Sequence, residues 1–197
     1  MKISKKDDTP NQPIRIDNDT LEWVEHYDYL GTRITKNGKI NAEILHRKYK
    51  ASQIYHQLNS TIINKKELTN KTKIQIYQTI YLPILTYGLK SAILNEKHLS
   101  QLQTSEMKFL RRTLGKARRN KIRNTKIRED TEQKPIQKLI ETRQLAWYGH
   151  VSRMNENRIP KKVVECKAEG KRNRGRPRTT YDKYITKIGM KRGKTTG

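Results

Sequence analysis

"VEHYDYLGTRITKNGKINAEILHRKYKASQIYHQL", residues 24–58, changes its hydrophobic period in the middle, and that change decides the fold. Before the Asn37-Gly38 turn signal, apolar residues come in short runs suited to strands. These runs are "PIRI", "LEWVEH" and "DYLGTRIT" across residues 13–35, punctuated first at Asn18-Asp19. After it, from Asn41 as a candidate N-cap, Ile44, Lys48, Ala51, Tyr55 and Leu58 recur every three or four residues, the stripe of a helix. Short strands bury little by themselves and need a helix or a partner surface over them.

Helical periodicity then continues. A second helix is predicted after Thr69-Asn70, with Ile74, Tyr77, Tyr81, Ile84 and Leu85 on one side, a kink at Pro83 and an end near Gly88. A third, capped by Asn95, carries Leu99, Leu102, Leu110 and Leu114 and closes at Gly115. One short helical turn starts at Asn124. A last helix starts near Pro135 with the stripe Ile136, Ile140, Arg143, Trp147, Val151 and Met154, whose apolar end reads as core packing rather than base stacking. Beyond Met154 the apolar supply ends: residues 155–197 hold five Leu, Ile, Val or Phe, against 36 in residues 1–154. So polar a segment cannot offset its ordering entropy by burial, and it is expected to be disordered unless bound.

The 197 residues include 44 Lys and Arg against 19 Asp and Glu, a net charge of +25. Most of it lies in residues 108–197, with 28 basic and 8 acidic side chains against 16 and 11 in residues 1–107. Such a field faces a polyanion, because each neutralised phosphate releases condensed counterions. Nucleic acid is the expected partner, ahead of an anionic membrane surface or an acidic protein. The densest groups are Arg111, Arg112, Lys116, Arg118, Arg119, Lys121 and Arg123, and then Arg174, Arg176 and Arg178 in "GKRNRGRPRTT". Cys166 is the sole cysteine, so no intrachain disulfide forms, and the five histidines are too scattered for a zinc site. No run approaches the roughly 18 apolar residues of a membrane span and the N-terminus has no apolar signal core, so an intracellular protein with no membrane partner is expected.

Four segments, in order, resemble the end of the reverse transcriptase of non-LTR retrotransposons, above all the endonuclease–reverse transcriptase polyproteins of animal genomes. Residues 24–58 are similar to the family's V-x-x-F-x-YLG strand pair and following helix, with Tyr27 in place of Phe. "TKIQIYQTIYLPILTYG", residues 72–88, resembles its helix ending in P-x-L-x-YG, although "LKSAIL" follows where the family often has an acidic residue and a Trp. "LQTSEMKFLRRTLG", residues 102–115, resembles the L-R-R-x-x-G close of the next helix. Residues 143–179 are similar to the R-x-L-x-W-x-GHV-x-RM segment with its G-R-P tail, Tyr148 standing where a smaller aliphatic is common.

The resemblance covers about residues 13–182 and implies a mainly α fold, a helical thumb-like bundle with a short N-terminal β hairpin or sheet and a disordered basic C-terminal tail. Residues 1–12 would be a disordered N-terminus, 13–38 the palm-edge strands of the primer grip, 39–154 the thumb-like helices and 155–197 the basic tail. Tyr29, Leu30 and Gly31 would form the grip, holding the primer's 3′ end by its phosphates without reading sequence. The two basic groups would follow an RNA–DNA hybrid or duplex DNA by shape and backbone, and a nuclear location goes with that partner.

A polymerase of this family holds two divalent ions, Mg²⁺ in the parent enzyme, on carboxylates that include an aspartate pair after a strand. The only adjacent aspartates here, Asp7-Asp8 in "SKKDDTP", follow lysines rather than a strand. The expectation is therefore a truncated or domesticated fragment without the palm and fingers, with no cofactor and no enzymatic activity of its own. The alternative is a stand-alone AT-hook-like DNA-binding or chromatin module, with Arg174 and Arg176 lying in a narrow A·T minor groove. The strand pair separates the two, because a stand-alone hook has no need of it.

Overall fold

In the computed structural model, which describes residues 13–166, Gly175 and residues 179–193, the N-terminal strands pair only with their neighbours in sequence. β1 (Arg15–Ile16) pairs antiparallel with β2 (Asp19–Thr20), and β3 (His26–Tyr29) with β4 (Thr32–Thr35), Tyr29 facing Thr32 and His26 facing Thr35. "LEWVEH" differs from its expectation: residues 21–25 lie outside both pairs. "DYLGTRIT" is a hairpin that reverses at Leu30-Gly31, where φ is 46° and 76°, the positive values that a two-residue turn of the primed type requires. Gly38, also at positive φ, ends β4 by donating its N–H to the Thr35 carbonyl at 2.9 Å.

α1 (Asn41–Leu58) follows, but Asn41 does not cap it; its Oδ1 lies 2.6 Å from His98 Nε2 instead. α2 (Asn70–Ile76) starts where Thr69 Oγ1 accepts the Thr72 N–H, then widens into a π turn (Tyr77–Tyr81) before α3 (Leu82–Thr86). Pro83 explains the π turn: it has no N–H for the Thr79 carbonyl and its ring crowds that turn. α4 (Glu96–Thr113) opens on a reciprocal box between Asn95 and His98. It closes as Gly115 (φ 64°) and Lys116 donate to the Arg112 and Arg111 carbonyls at 3.0 and 2.9 Å, a Schellman pair. A 3₁₀ turn (Arg118–Asn120) leads to α5 (Asn124–Thr131), two turns rather than one, and α6 (Ile136–Ser152) starts from Pro135.

The core centres on Phe109, the chain's only phenylalanine, with the Tyr81, Tyr77 and Tyr55 rings at 4.6, 5.3 and 6.1 Å. Ile44, Ala51, Leu85, Leu102, Leu110, Ile127, Ile136 and Ile140 pack around it. Glu106 is buried among them. Its Oε2 accepts from Arg128 at 2.7 Å and its Oε1 accepts the Ile136 N–H at 3.0 Å, so one carboxylate joins α4, α5 and α6. Burial pushes its pKa up, and the hydrogen bond from Arg128 opposes that.

Two helices lie within the segment expected to lack order, α7 (Ile159–Glu165) and α8 (Tyr181–Gly193). α8 docks on α6 by burying Ile185 and Ile188. The Tyr181 hydroxyl donates to the Lys90 carbonyl at 2.6 Å, that of Tyr184 to Gln144 at 3.2 Å, and Tyr148 reaches Asp182 at 2.6 Å. Tyr181, Tyr184, Ile185 and Ile188 fall at helical spacing, so tyrosines supply a stripe that a count of aliphatic residues passes over. Arg174, Arg176 and Arg178 lie outside the described residues.

Candidate nucleic-acid interface

The Leu30-Gly31 turn is fastened to the helices by both of its carbonyls. The Leu30 carbonyl accepts from the Tyr87 hydroxyl at 2.9 Å, and the Gly31 carbonyl accepts from the Arg47 guanidinium. That guanidinium lies over the Tyr87 ring, 5.0 Å from its centroid. Arg47 Nε donates to Glu43 Oε1 at 2.6 Å, and Glu43 Oε2 takes the Arg33 N–H at 2.6 Å. Glu43 and Arg47 are 1% and 6% exposed, so the pair is desolvated, and its hydrogen bonds to the hairpin offset part of that cost. Gly88 permits the close approach: a Cβ there would stand 3.0 Å from Thr32 Oγ1, on a backbone at φ 73°.

Between hairpin and bundle lies an open groove of about 580 Å³, bordered by Tyr29, Leu30, Pro83, Tyr87, Lys90 and Arg143. Arg143 is set by α6 and donates to Thr86 Oγ1 at 2.7 Å. The "YLG" turn, the "PILTYG" end of the second segment and the first residue of "RQLAW" therefore meet at one groove. The Asp28–Arg33 pair stands on the hairpin beside it, its hydrogen bond holding the Asp28 carboxyl down at about 2.

The basic group at 111–123 divides. Arg111 donates to the Ile122 carbonyl at 2.6 Å and to Asn124 at 2.8 Å, fastening its own loop. Lys116 pairs with Asp130 at 2.9 Å, and Arg112 donates to Asn59 at 3.1 Å. Arg118, Arg119, Lys121 and Arg123 are exposed, and among the described residues no carboxylate pairs with any of them. The Asn41–His98 and Asn59–Arg112 contacts join α1 and α4 start to start and end to end, so the two helices run parallel. The free cations thus sit beyond the far end of α1, with roughly 18 Å of helix between Arg47 and Asn59.

Glu43 and Arg47 escaped the sequence reading, although a Glu and an Arg four residues apart beside the Ile44–Ala51 stripe were visible as an i,i+4 pair. On the hairpin side Ile14, Ile16, Leu21, Val24, Tyr27, Tyr29 and Leu30 are exposed. Among the described residues no three or more His, Cys, Asp or Glu side chains come together, and the adjacent acids Glu129 and Asp130 are paired with Lys126 and Lys116. The described residues thus offer no fit for a two-ion site. No described helix is long and apolar enough to cross a membrane.

Neither a protein-family model nor a solved structure matches the chain. It is similar to an uncharacterized transposon-derived protein of Caenorhabditis elegans, 27% identical over 143 residues that cover 70% of this chain and 50% of that protein. The chain spans about half the length of the curated relative it matches. It is related to a transposon-derived protein.

Proposed function

We propose that the chain is the primer-grip and thumb part of a non-LTR retrotransposon reverse transcriptase and binds the backbone of template–primer or duplex DNA without sequence preference. The observation that carries this is the meeting of the "YLG", "P-x-L-x-YG" and "R-x-L-x-W" segments around one groove, far apart as they are in sequence. A transposon-derived relative agrees with it. The exposed apolar side chains of β1–β4 are of the kind that takes a partner, and a polymerase palm is the partner we assign. Phosphate binding falls to the groove cations Lys90 and Arg143 and to Arg118, Arg119, Lys121 and Arg123.

The carboxylates that hold two catalytic ions would lie outside these 197 residues, so the chain itself positions nucleic acid and transfers no nucleotide. The AT-hook alternative rests on residues 174–178, of which only Gly175 is described, and no structural observation favours it. Fluorescence anisotropy with a labelled primer–template tests the binding. Affinity should fall linearly with salt on logarithmic axes, each neutralised phosphate adding about −0.9 to the slope on B-DNA. No binding at low salt, or a slope near zero, would reject the proposal. Template-dependent incorporation by the purified chain with Mg²⁺ or Mn²⁺ would reject its non-catalytic part.

A further inference from the structure

The bonds that fasten the Leu30-Gly31 turn also fix where its amides face. In a trans peptide the carbonyl and the following N–H lie on opposite sides of one plane. The Leu30 carbonyl is turned toward the Tyr87 hydroxyl, so the Gly31 N–H is turned away from the helices. Tyr29 faces Thr32 across the ladder, which directs its carbonyl toward β4 and the Leu30 N–H off the opposite edge of the hairpin. Both residues are exposed, and neither N–H finds a partner among the described residues. Leu30 keeps a positive φ, a conformation that L residues rarely adopt, and nothing in its own exposed side chain enforces it.

We infer that Tyr87, Arg47 and Glu43 are positioning residues that aim these two amides at one backbone phosphate of a bound strand. The inference rests on the nucleic-acid reading proposed above. Tyr87 holds one turn carbonyl and Arg47 the other. Glu43 holds Arg47 in place and, through the Arg33 N–H, the first residues of β4. A hydrogen bond from a neutral amide to an anionic oxygen is stronger than one between neutral groups, but only with the N–H already aimed.

Tyr87→Phe removes a single hydroxyl and leaves the ring under Arg47. Its binding is measured on primer–templates in which each phosphate in turn is an uncharged methylphosphonate. The wild type should lose about tenfold in affinity at one or two phosphates near the primer end. Tyr87→Phe should bind the unmodified duplex about tenfold more weakly and show no further loss at those phosphates. Sensitivity elsewhere on the duplex and the circular dichroism melt should stay unchanged. Arg47→Lys keeps the charge but not the fork and should give the same pattern of phosphate sensitivity, with a lower melt because its pair with Glu43 is buried. A Tyr87→Phe scan that matches the wild type while binding persists overturns this inference and leaves the proposed function standing. Failure of the wild type to bind any duplex overturns both.

Discussion

Removing Arg128 takes the only cation from Glu106, whose side chain is 0% exposed and whose remaining partners are the neutral Ile136 N–H and Tyr77 hydroxyl. Breaking a buried pair by deleting one partner costs about 3–5 kcal/mol, because the remaining charge is left uncompensated. In a chain of this length each kcal/mol shifts the melting temperature by roughly 2–4 °C, so Arg128→Met should lower it by about 6–20 °C. The loss should also depend on pH. Burial already holds the Glu106 pKa above its ordinary value, and Arg128 is the leading influence holding it down, so the variant's carboxyl titrates higher still. The native state then binds a proton that the unfolded state has released, so stability falls as pH rises through that interval. The deficit against wild type should therefore shrink on going from about pH 8 to about pH 5. Circular dichroism melts of both proteins across that range read it directly. A deficit that is small, or that grows toward acid, would refute a stranded carboxylate at this position.

Replacing Arg118, Arg119, Lys121 and Arg123 with Ala should weaken binding to all duplexes alike and reduce the salt slope by up to about 3.6, from about 0.9 per contact. Arg111→Ala should instead lower the melting temperature, since its guanidinium holds Ile122 and Asn124; a salt-slope effect without destabilisation would contradict that. His98 accepts the Asn95 N–H through Nδ1, and burial lowers its pKa below the ordinary 6.5. Its native state therefore binds fewer protons than the unfolded chain just below that value, so stability should rise with pH there and His98→Gln should flatten the rise in melts. Ile185→Asp should release α8, read as lost amide protection over 181–193 and a changed Trp147 emission, because the Trp147 ring packs on Tyr181 at 5.4 Å.

Much of the structure that follows from neighbours in the chain is legible in the sequence, although Asn41 does not cap α1 and residues 21–25 form no strand. The change of period near residue 38, the helix start after Thr69-Asn70, the cap at Asn95, the Gly115 stop and the start at Pro135 are all local signals, and each stands where the sequence places it. The resemblance marked the segments that border the groove, although not that they meet. What escaped depends on partners distant in sequence. Glu106 looks like a surface residue of an amphipathic helix until Ile136, thirty residues on, donates to it. Arg111 and Lys116 look like free cations until the Ile122–Asn124 loop and Asp130 occupy them. α8 is hard to read because only Ile185 and Ile188 supply its buried apolar side chains, and the rest of its anchor is Tyr181 and Tyr184, which hydrogen-bond the Lys90 carbonyl and Gln144.

The most direct test of the groove places a benzophenone side chain at position 30, where Leu30 is 74% exposed, with Met190 (66% exposed) as a control on α8. After irradiation with an end-labelled primer–template, crosslinks from position 30 should map to the primer strand close to its 3′ end, and those from position 190 should be few and scattered. Equal labelling from both positions, or crosslinks from position 30 spread evenly along either strand, would contradict a strand held at the "YLG" turn.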